Sequence, residues 1–328
     1  MDIEEAVKII QGNNDFVLTT HLNPDGDALG SLMGLGLALL KSGKKVSMVL
    51  PYPVLASYQF LPGCQHVLQP SDVLGRFDVG IILDCTEMAR AGEKAQDVIE
   101  NTRCLVNVDH HISNQYFGDL NVVDPQAAAT GEIVCSLLVR AGITITPDIA
   151  TNLYVALVTD TGSFQHQNTT AKCLRTAAYL LDCGAKHNLI HQCLYEQKSL
   201  DSLRLLSRCL ESLALNKSGA IAWMTISQDV LLDSGAVFDD SDGMIDYTKS
   251  LKGVEVGILF KEVSPGEIKV SFRSKNYLDV NQLAACFGGG GHERAAGCTV
   301  QGRIKNVEAL VIEKTEELLA ASCGGPKR

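Results

Sequence analysis

Apolar residues in the first half of the chain come in unbroken runs rather than alternating ones. Residues 16–22 predict a strand, 27–42 a helix whose apolar body is 28–40, and 45–50 a short strand. Residues 78–83 predict a strand that ends on Asp84, and 103–108 another that ends on Asp109. Runs such as Val79, Ile81, Ile82 and Leu83 suit strands buried on both faces of a parallel sheet. The order of elements therefore predicts a doubly wound, mainly parallel α/β sheet, which takes ligands at the carboxyl ends of its strands.

From 130 to 215 the pattern turns helical, with helices predicted over 131–141, 147–159, 169–183, 189–195 and 200–215. Pro147 suits a first helical turn, and Thr169 and Thr170 offer capping hydroxyls. Strands return at 220–226, 254–260 and 267–272, followed by a helix at 280–287, the run Gly288 to Gly291, and a closing helix over about 306–321. The change of pattern divides the chain into a first domain over 1–190, a helical linker over 191–215, and a smaller mixed α/β domain over 216–328. A length of 328 residues, about twice that of an ordinary domain, agrees with two domains.

Composition narrows the chemistry. A net charge of −10 and a pI near 5.3 argue against a duplex-binding surface. A short phosphate-bearing substrate stays open, because metal ions can supply positive charge locally. The eleven cysteines are odd in number and contain no Cys-x-x-Cys, and residues 1–10 carry acids where a signal peptide would carry Lys or Arg. Reduced thiols in a cytoplasmic protein are the expectation. The apolar run at 32–40 is too short to span a bilayer and glycines interrupt it, so no membrane association is expected. Apolar helices between 180 and 215 offer a homodimer interface, although burial against a connecting helix explains them equally well.

Candidate ligands fall where the predicted strands end. His21, Asp25 and Asp27 follow the first strand within seven residues; Asp84, then Asp109-His110-His111, then Asp160 follow further apolar runs. Taken singly each has a bland explanation: Asp27 as a helix cap, His21 as a loop histidine, Asp109-His110-His111 as a turn. Taken together, five clustered carboxylates need cations, since like charges that close cannot all stay ionised. Carboxylate and imidazole without thiolate point to an octahedral ion, Mn²⁺ ahead of Mg²⁺, Fe²⁺ or Co²⁺. Two ions sharing a bridging carboxylate is the economical arrangement for so many donors. His66, His166, His187 and His191 lie outside these clusters and read as ordinary surface or core histidines.

In the second domain Gly288-Gly289-Gly290-Gly291-His292-Glu293-Arg294 follows a strand carrying Arg273. Backbone N–H groups of a glycine run can approach an anion closely, whereas a flexible surface loop is the plain alternative. Anion binding is favoured by His292 and by Arg273, while Arg294 reads as a solvated loop cation.

These motifs, in this order and over almost the whole chain, resemble the DHH phosphoesterase superfamily, named for the triplet at Asp109-His110-His111. The glycine-rich loop through Gly297 is similar to the nucleotide-handling DHH-associated domain, and the two-domain length resembles the nanoRNase and pAp-phosphatase branch (pAp is 3′-phosphoadenosine 5′-phosphate). The resemblance implies that His21 and Asp25 bind one metal, that Asp27, His110 and Asp160 bind a second, and that Asp84 bridges them. It implies that His111 donates to the scissile phosphate and that Asp109 orients the motif. It further implies that Arg273, Ser274, Gly289, Gly290, Gly291 and His292 hold the substrate phosphate across an interdomain cleft.

The implied activity is two-metal hydrolysis of short single-stranded RNA or DNA oligonucleotides (nanoRNA of two to five nucleotides) to mononucleotides, or of pAp to AMP. A phosphodiesterase for cyclic di-AMP or its linear product pApA would share every one of these motifs. A processive exonuclease would be expected to carry further nucleic-acid-binding domains, and a pyrophosphatase lacks the glycine-rich loop. A metal-bound nucleotide sensor without catalysis would be expected to lose a bridging or water-activating ligand, and every motif position here holds a competent residue.

Overall fold

The computed structural model describes residues 3–323, with the side chains of His292 and Cys323 outside the description. The first unit, Met1–Gln197, runs α1 (Ile3–Gly12), β1 (Asp15–Thr19), α2 (Gly26–Lys41), β2 (Lys45–Val49), β3 (Val67–Leu68), β4 (Phe77–Leu83) and α3 (Glu93–Ile99). It continues with β5 (Thr102–Asp109), β6 (Leu120–Val123), α4 (Thr130–Arg140), α5 (Pro147–Asp160), α6 (Ala171–Asp182) and α7 (His187–Tyr195). Its six strands form one parallel sheet in the order β3-β2-β1-β4-β5-β6. The strand order reverses between β1 and β4, and a doubly wound sheet opens a crevice outside the carboxyl ends of its strands at that point.

Both faces of β1 are buried, as its unbroken apolar run requires. Phe16 and Leu18 pack with Leu29, Leu32 and other residues of α2, while Val17 packs on the opposite face with Val49, Ile82 and Ile99. Every residue of α2 from Gly26 to Leu39 is buried, with α4 and α5 against it. Such a helix is apolar on all sides because it has no solvent face to cover.

The first strand is shorter than predicted, ending at Thr19 rather than Leu22. Its ladder with β4 ends at the pair Thr19–Ile82, and the Leu22 N–H donates instead to the Arg90 carbonyl at 2.7 Å. The freed residues become the loop that carries His21. Helices α1 and α3 and strand β6 are additions to the predicted elements. Exposed Leu174, Tyr179 and Leu181 lie on α6. No helix among the described residues is long and apolar enough to cross a membrane.

The second unit, Lys198–Arg328, contains α8 (Leu200–Glu211), β7 (Ala214–Leu215), β8 (Ile221–Ile226), α9 (Gln228–Ser234), α10 (Ile245–Ser250) and β9 (Val256–Ser264). It closes with β10 (Glu267–Ser274), α11 (Val280–Ala285), β11 (Gly290–His292), β12 (Ala295–Gln301) and α12 (Ile304–Cys323). The sheet order is β11-β12-β10-β9-β8-β7, antiparallel except for the parallel pair β8–β9. Phe260, Val270 and Phe272 pack with Leu283 of α11 and Val311 of α12 on one face, and Leu259 packs with Leu205, Met224 and Ile245 on the other. The helix predicted over 200–215 stops at Glu211, because Ala214 and Leu215 pair with β8.

Candidate metal centre

The loop after β1 and the first turn of α2 divide their carboxylates between two tasks. Asp25, not Asp27, caps α2: its Oδ1 accepts from the N–H groups of Asp27 (3.0 Å) and Ala28 (3.1 Å). Asp27 lies one step inside the helix and only 1% exposed. Its Oδ2 accepts from the Thr130 N–H (2.7 Å), and its Oδ1 from the Gly131 N–H (3.0 Å) and the Ser31 hydroxyl (3.0 Å). The N-terminus of α4 thus points its unpaired amides and positive dipole end at this carboxylate.

Asp84 follows β4 with a left-handed backbone, φ +54°. Asp is one of the few side-chain-bearing types that enter this region often, and such outliers concentrate at functional sites. Its Oδ1 accepts from the Thr130 hydroxyl at 2.9 Å and lies 3.7 Å from His110 Nε2, while its Oδ2 lies 3.7 Å from His21 Nε2.

Asp109 ends β5 and is fully buried. Its Oδ1 accepts from His111 Nδ1–H (2.7 Å) and the His110 N–H (2.8 Å), and its Oδ2 accepts from the Asn114 amide (2.6 Å). His110 donates from Nδ1 to the Ala127 carbonyl (3.3 Å), which turns Nε2 toward Asp27 (3.8 Å) and Asp160 (3.6 Å). Asp160 ends α5, one residue past the predicted helix, and the Asn168 amide donates to its Oδ2 at 3.3 Å.

The six predicted ligands therefore converge. His21, Asp25 and Asp84 form one group and Asp27, His110 and Asp160 a second, with one ligand atom from each residue of a group within 4.8 Å of the others. Asp84 also groups with His110 and His111. His66, His166, His187 and His191 are exposed and belong to none of these groups, although His166 reaches the Asp160 carbonyl at 3.4 Å.

Without cations this cluster is electrostatically strained. Burial and the neighbouring Asp84 charge raise the pKa of Asp25 and, more strongly, of Asp27. Burial also pushes Asp160 up to about 6, against the pull of His110. Burial acts the same way on Asp84, but the His21 ring at 3.7 Å and the His111 and His110 charges outweigh it and hold that carboxyl well below its usual range. His111 is raised: burial works against its charge, yet the Asp109 hydrogen bond and the Asp84 charge prevail. The fit to hard or borderline divalent ions follows from the donors, which are carboxylate and imidazole only. Cys85, the buried thiol beside Asp84, donates to the Glu87 carbonyl, and burial pushes it up to about 12, so it offers no thiolate.

Four groups that hold the candidate ligands had no signal in the sequence. Thr130 and Asn168 come from segments 46 residues from Asp84 and 8 residues from Asp160. Asn107 and Asn114 are bonded to each other (2.7 Å), and Asn114 holds Asp109. A lone Asn or Thr has no periodicity that would mark it.

In the second unit, Arg273 is half-buried on β10, donating to the Phe272 carbonyl at 3.0 Å. Burial lowers its pKa despite the opposing charges of Asp246 and Asp242. Ser274 is 4% exposed, and its hydroxyl has no hydrogen-bond partner among the described residues. The glycine run is not a free loop: Gly290–His292 is an edge strand paired with β12. A Cβ at Gly289 would lie 2.2 Å from the Gly297 carbonyl oxygen, and one at Gly291 2.6 Å from that of Ala295, so close backbone approach demands glycine at both. The Gly291 N–H is occupied by the Asn281 side chain at 2.9 Å, and the predicted phosphate contact of the His292 side chain lies outside the described residues. Arg294 is not a solvated loop cation, being half-buried and bonded to the Leu278 carbonyl (3.0 Å) and Glu293 (2.8 Å).

Comparison with known proteins agrees with this architecture. Residues 15–157 match the DHH family, N-terminal domain, and residues 218–321 match the DHHA1 domain. The bifunctional oligoribonuclease and PAP phosphatase NrnA of Thermus thermophilus is 33% identical over 302 residues, covering 92% of this chain and 88% of that protein. The protein of the same name from Bacillus subtilis is 26% identical over 299 residues, 90% of this chain and 92% of its own length. An exopolyphosphatase-related protein from Bacteroides fragilis has the same fold, with a TM-score of 0.89 at 25% identity, over 97% of this chain and 95% of that one. With a metal-ligand-rich DHH domain followed by a DHHA1 domain and a full-length relative at this identity, the chain belongs to the DHH family.

Proposed function

We propose that this chain hydrolyses short oligonucleotides to mononucleotides and pAp to AMP, using two divalent ions, Mn²⁺ first among them. The substrate class rests on the relationship to the Thermus oligoribonuclease and PAP phosphatase over 92% of the chain. The two-ion reading rests on two ligand groups, His21–Asp25–Asp84 and Asp27–His110–Asp160, linked by a third in which Asp84 joins His110 and His111. In it, His21, Asp25 and Asp84 hold one ion, and Asp27, His110, Asp160 and Asp84 the other.

Divalent ions held there supply Lewis-acid chemistry, neutralising charge on phosphoryl oxygens and lowering the pKa of water. The protein supplies position. Thr130 holds Asp84, the α4 amides hold Asp27, and Asp109 fixes the His111 ring with Nδ1 as the bonded nitrogen. His111, its Nδ1 held by Asp109, donates a hydrogen bond from Nε2 to a phosphoryl oxygen as negative charge builds on it. Arg273, Ser274, Gly289, Gly290 and His292 contribute the recognition of a substrate phosphate. The ten described cysteines are free thiols, in keeping with a cytoplasmic location.

The test is hydrolysis with Mn²⁺ of pAp, a 5′-phosphorylated dinucleotide, a five-nucleotide RNA and cyclic di-AMP. Turnover of the dinucleotide and of pAp, each at least tenfold faster than cyclic di-AMP, is expected. Preference for cyclic di-AMP overturns the reading in favour of a cyclic-dinucleotide phosphodiesterase.

A further inference from the structure

Segment 124–131 is hydrogen-bonded, directly or through one amide, to four of the six candidate ligands. The Ala127 carbonyl accepts from His110, and the Ala128 carbonyl accepts from the Asn168 amide (3.0 Å) that also holds Asp160. Thr130 donates to Asp84, and the Thr130 and Gly131 amides donate to Asp27. The segment also starts at the centre, since the Asp124 N–H donates to the Asp109 carbonyl at 3.0 Å. Yet it is irregular chain leading into α4, whose N-cap is Ala129, a residue with no side chain to cap with.

What secures it lies outside the centre. Glu132, in the first turn of α4 and 1% exposed, reaches back so that its Oε2 accepts from the Ala128 N–H at 3.0 Å. Its Oε1 is 2.9 Å from Nζ of Lys172 on α6. The same ammonium lies 3.5 Å from Asp124 Oδ2, and Asp124 Oδ1 accepts from the Gln126 N–H at 3.1 Å. One cation from α6 therefore grips both ends of the segment, Asp124 at its start and Glu132 just past its end. A carboxylate as buried as Glu132 requires such a partner.

We propose that Lys172, acting through Asp124 and Glu132, is a positioning residue that holds segment 124–131 in register and so sets the metal affinity of a centre outside its own contacts. The inference rests on reading the six clustered residues as metal ligands. Outer partners that orient ligands commonly govern affinity by about 10–100-fold. A merely structural ion pair would change thermal stability and leave affinity alone.

The experiment titrates Mn²⁺ alone into the metal-free full chain, following free Mn²⁺ by electron paramagnetic resonance well below the melting temperature. Wild type binds; Lys172→Met is expected to bind about tenfold more weakly. Lys172→Arg should recover most of that loss, and Lys8→Met, which removes an exposed ion pair with Glu5, should change nothing. Glu132→Gln keeps an acceptor for the Ala128 N–H but loses the ion pair, so it should weaken binding as Lys172→Met does and serves as the deciding variant if the latter does not fold. Affinity within twofold of wild type in the deciding variant overturns the proposal, whatever its melting temperature. Equal Mn²⁺ binding by wild type and Asp84→Asn would overturn the ligand reading instead, a separate outcome.

Discussion

The two units treat their candidate polar groups in opposite ways. In the first, Asp27 accepts three hydrogen bonds, from α2 and the start of α4, Thr130 and Asn168 donate to Asp84 and Asp160, and Asp109 beside them accepts three. In the second, Arg273 donates to a single backbone carbonyl, and the Ser274 hydroxyl has no partner among the described residues. The first arrangement is preorganised and strained by its own charge. The second places one buried, unpartnered hydroxyl next to its candidate arginine. Chemistry benefits from groups that need no rearrangement during reaction, and recognition from groups whose best partner is the substrate.

The most severe way to break this contrast is to disarm the first unit. Asp84→Asn should reduce kcat on a dinucleotide by on the order of 10³-fold or more, the scale of losing several kcal/mol of charge stabilisation. Its unfolding in the absence of metal should remain cooperative. A kcat within tenfold of wild type would remove Asp84 from its central position.

Disarming the second unit should cost less and cost selectively. Arg273→Ala should lower kcat/KM on pAp or a dinucleotide by about 10–100-fold, the value of a charged hydrogen bond at 1.5–3 kcal/mol. On bis(4-nitrophenyl) phosphate the same variant should lose less than about threefold, because that ester leaves a recognition contact unused. Equal losses on both substrates would place Arg273 with the chemistry and erase the distinction between the units.

The mildest test is pH. Asp160 is pushed up to about 6, and Asp25 and Asp27 are raised as well, so above the ordinary carboxylate range the folded metal-free protein binds more protons than the unfolded chain at these three. The raised His111 adds in the same sense as pH climbs past its ordinary range. Stability of the metal-free protein should therefore fall from pH 5 to pH 7, by a few degrees in melting temperature. The lowered Asp84 and Glu255 act only below this window. Saturating Mn²⁺ should reverse the trend, since ligands must lose their protons to bind. A metal-free melting temperature that rises over this interval would show that the acidic cluster is not under the strain described.

Legibility in the sequence followed the same division. The parallel sheet and the positions of Asp84 and Asp109 could be read because apolar runs end abruptly on charged residues. The groups that hold the ligands could not, since Thr130 serves Asp84 and Asp27 across 46 and 103 residues of chain. Asp160 was legible as an acid at the end of the helix predicted over 147–159, which Pro147 opens and which the structure extends by one residue. In the second unit, β12 escaped notice because Ala295, Ala296 and Gly297 have little strand preference of their own, and pairing with β10 supplies it. The glycine run suggested an anion cradle, whereas part of its composition answers to backbone contact between neighbouring strands.

Asp84 carries an implication for how this protein can change over evolution. Its left-handed backbone admits Gly, Asn and Asp with ease and penalises bulkier types. The proposed role, with Asp84 grouped with His21 and Asp25 on one side and with His110 on the other, calls for a carboxylate, which Gly and Asn lack. Glu keeps the charge but not the backbone tolerance, and its longer arm would misplace the oxygens. Two independent filters, one conformational and one chemical, thus overlap on a single amino acid. On the two-ion proposal, drift at this position has no neutral first step, and a descendant that lost Asp84 would lose the proposed chemistry before any other part of the fold had altered.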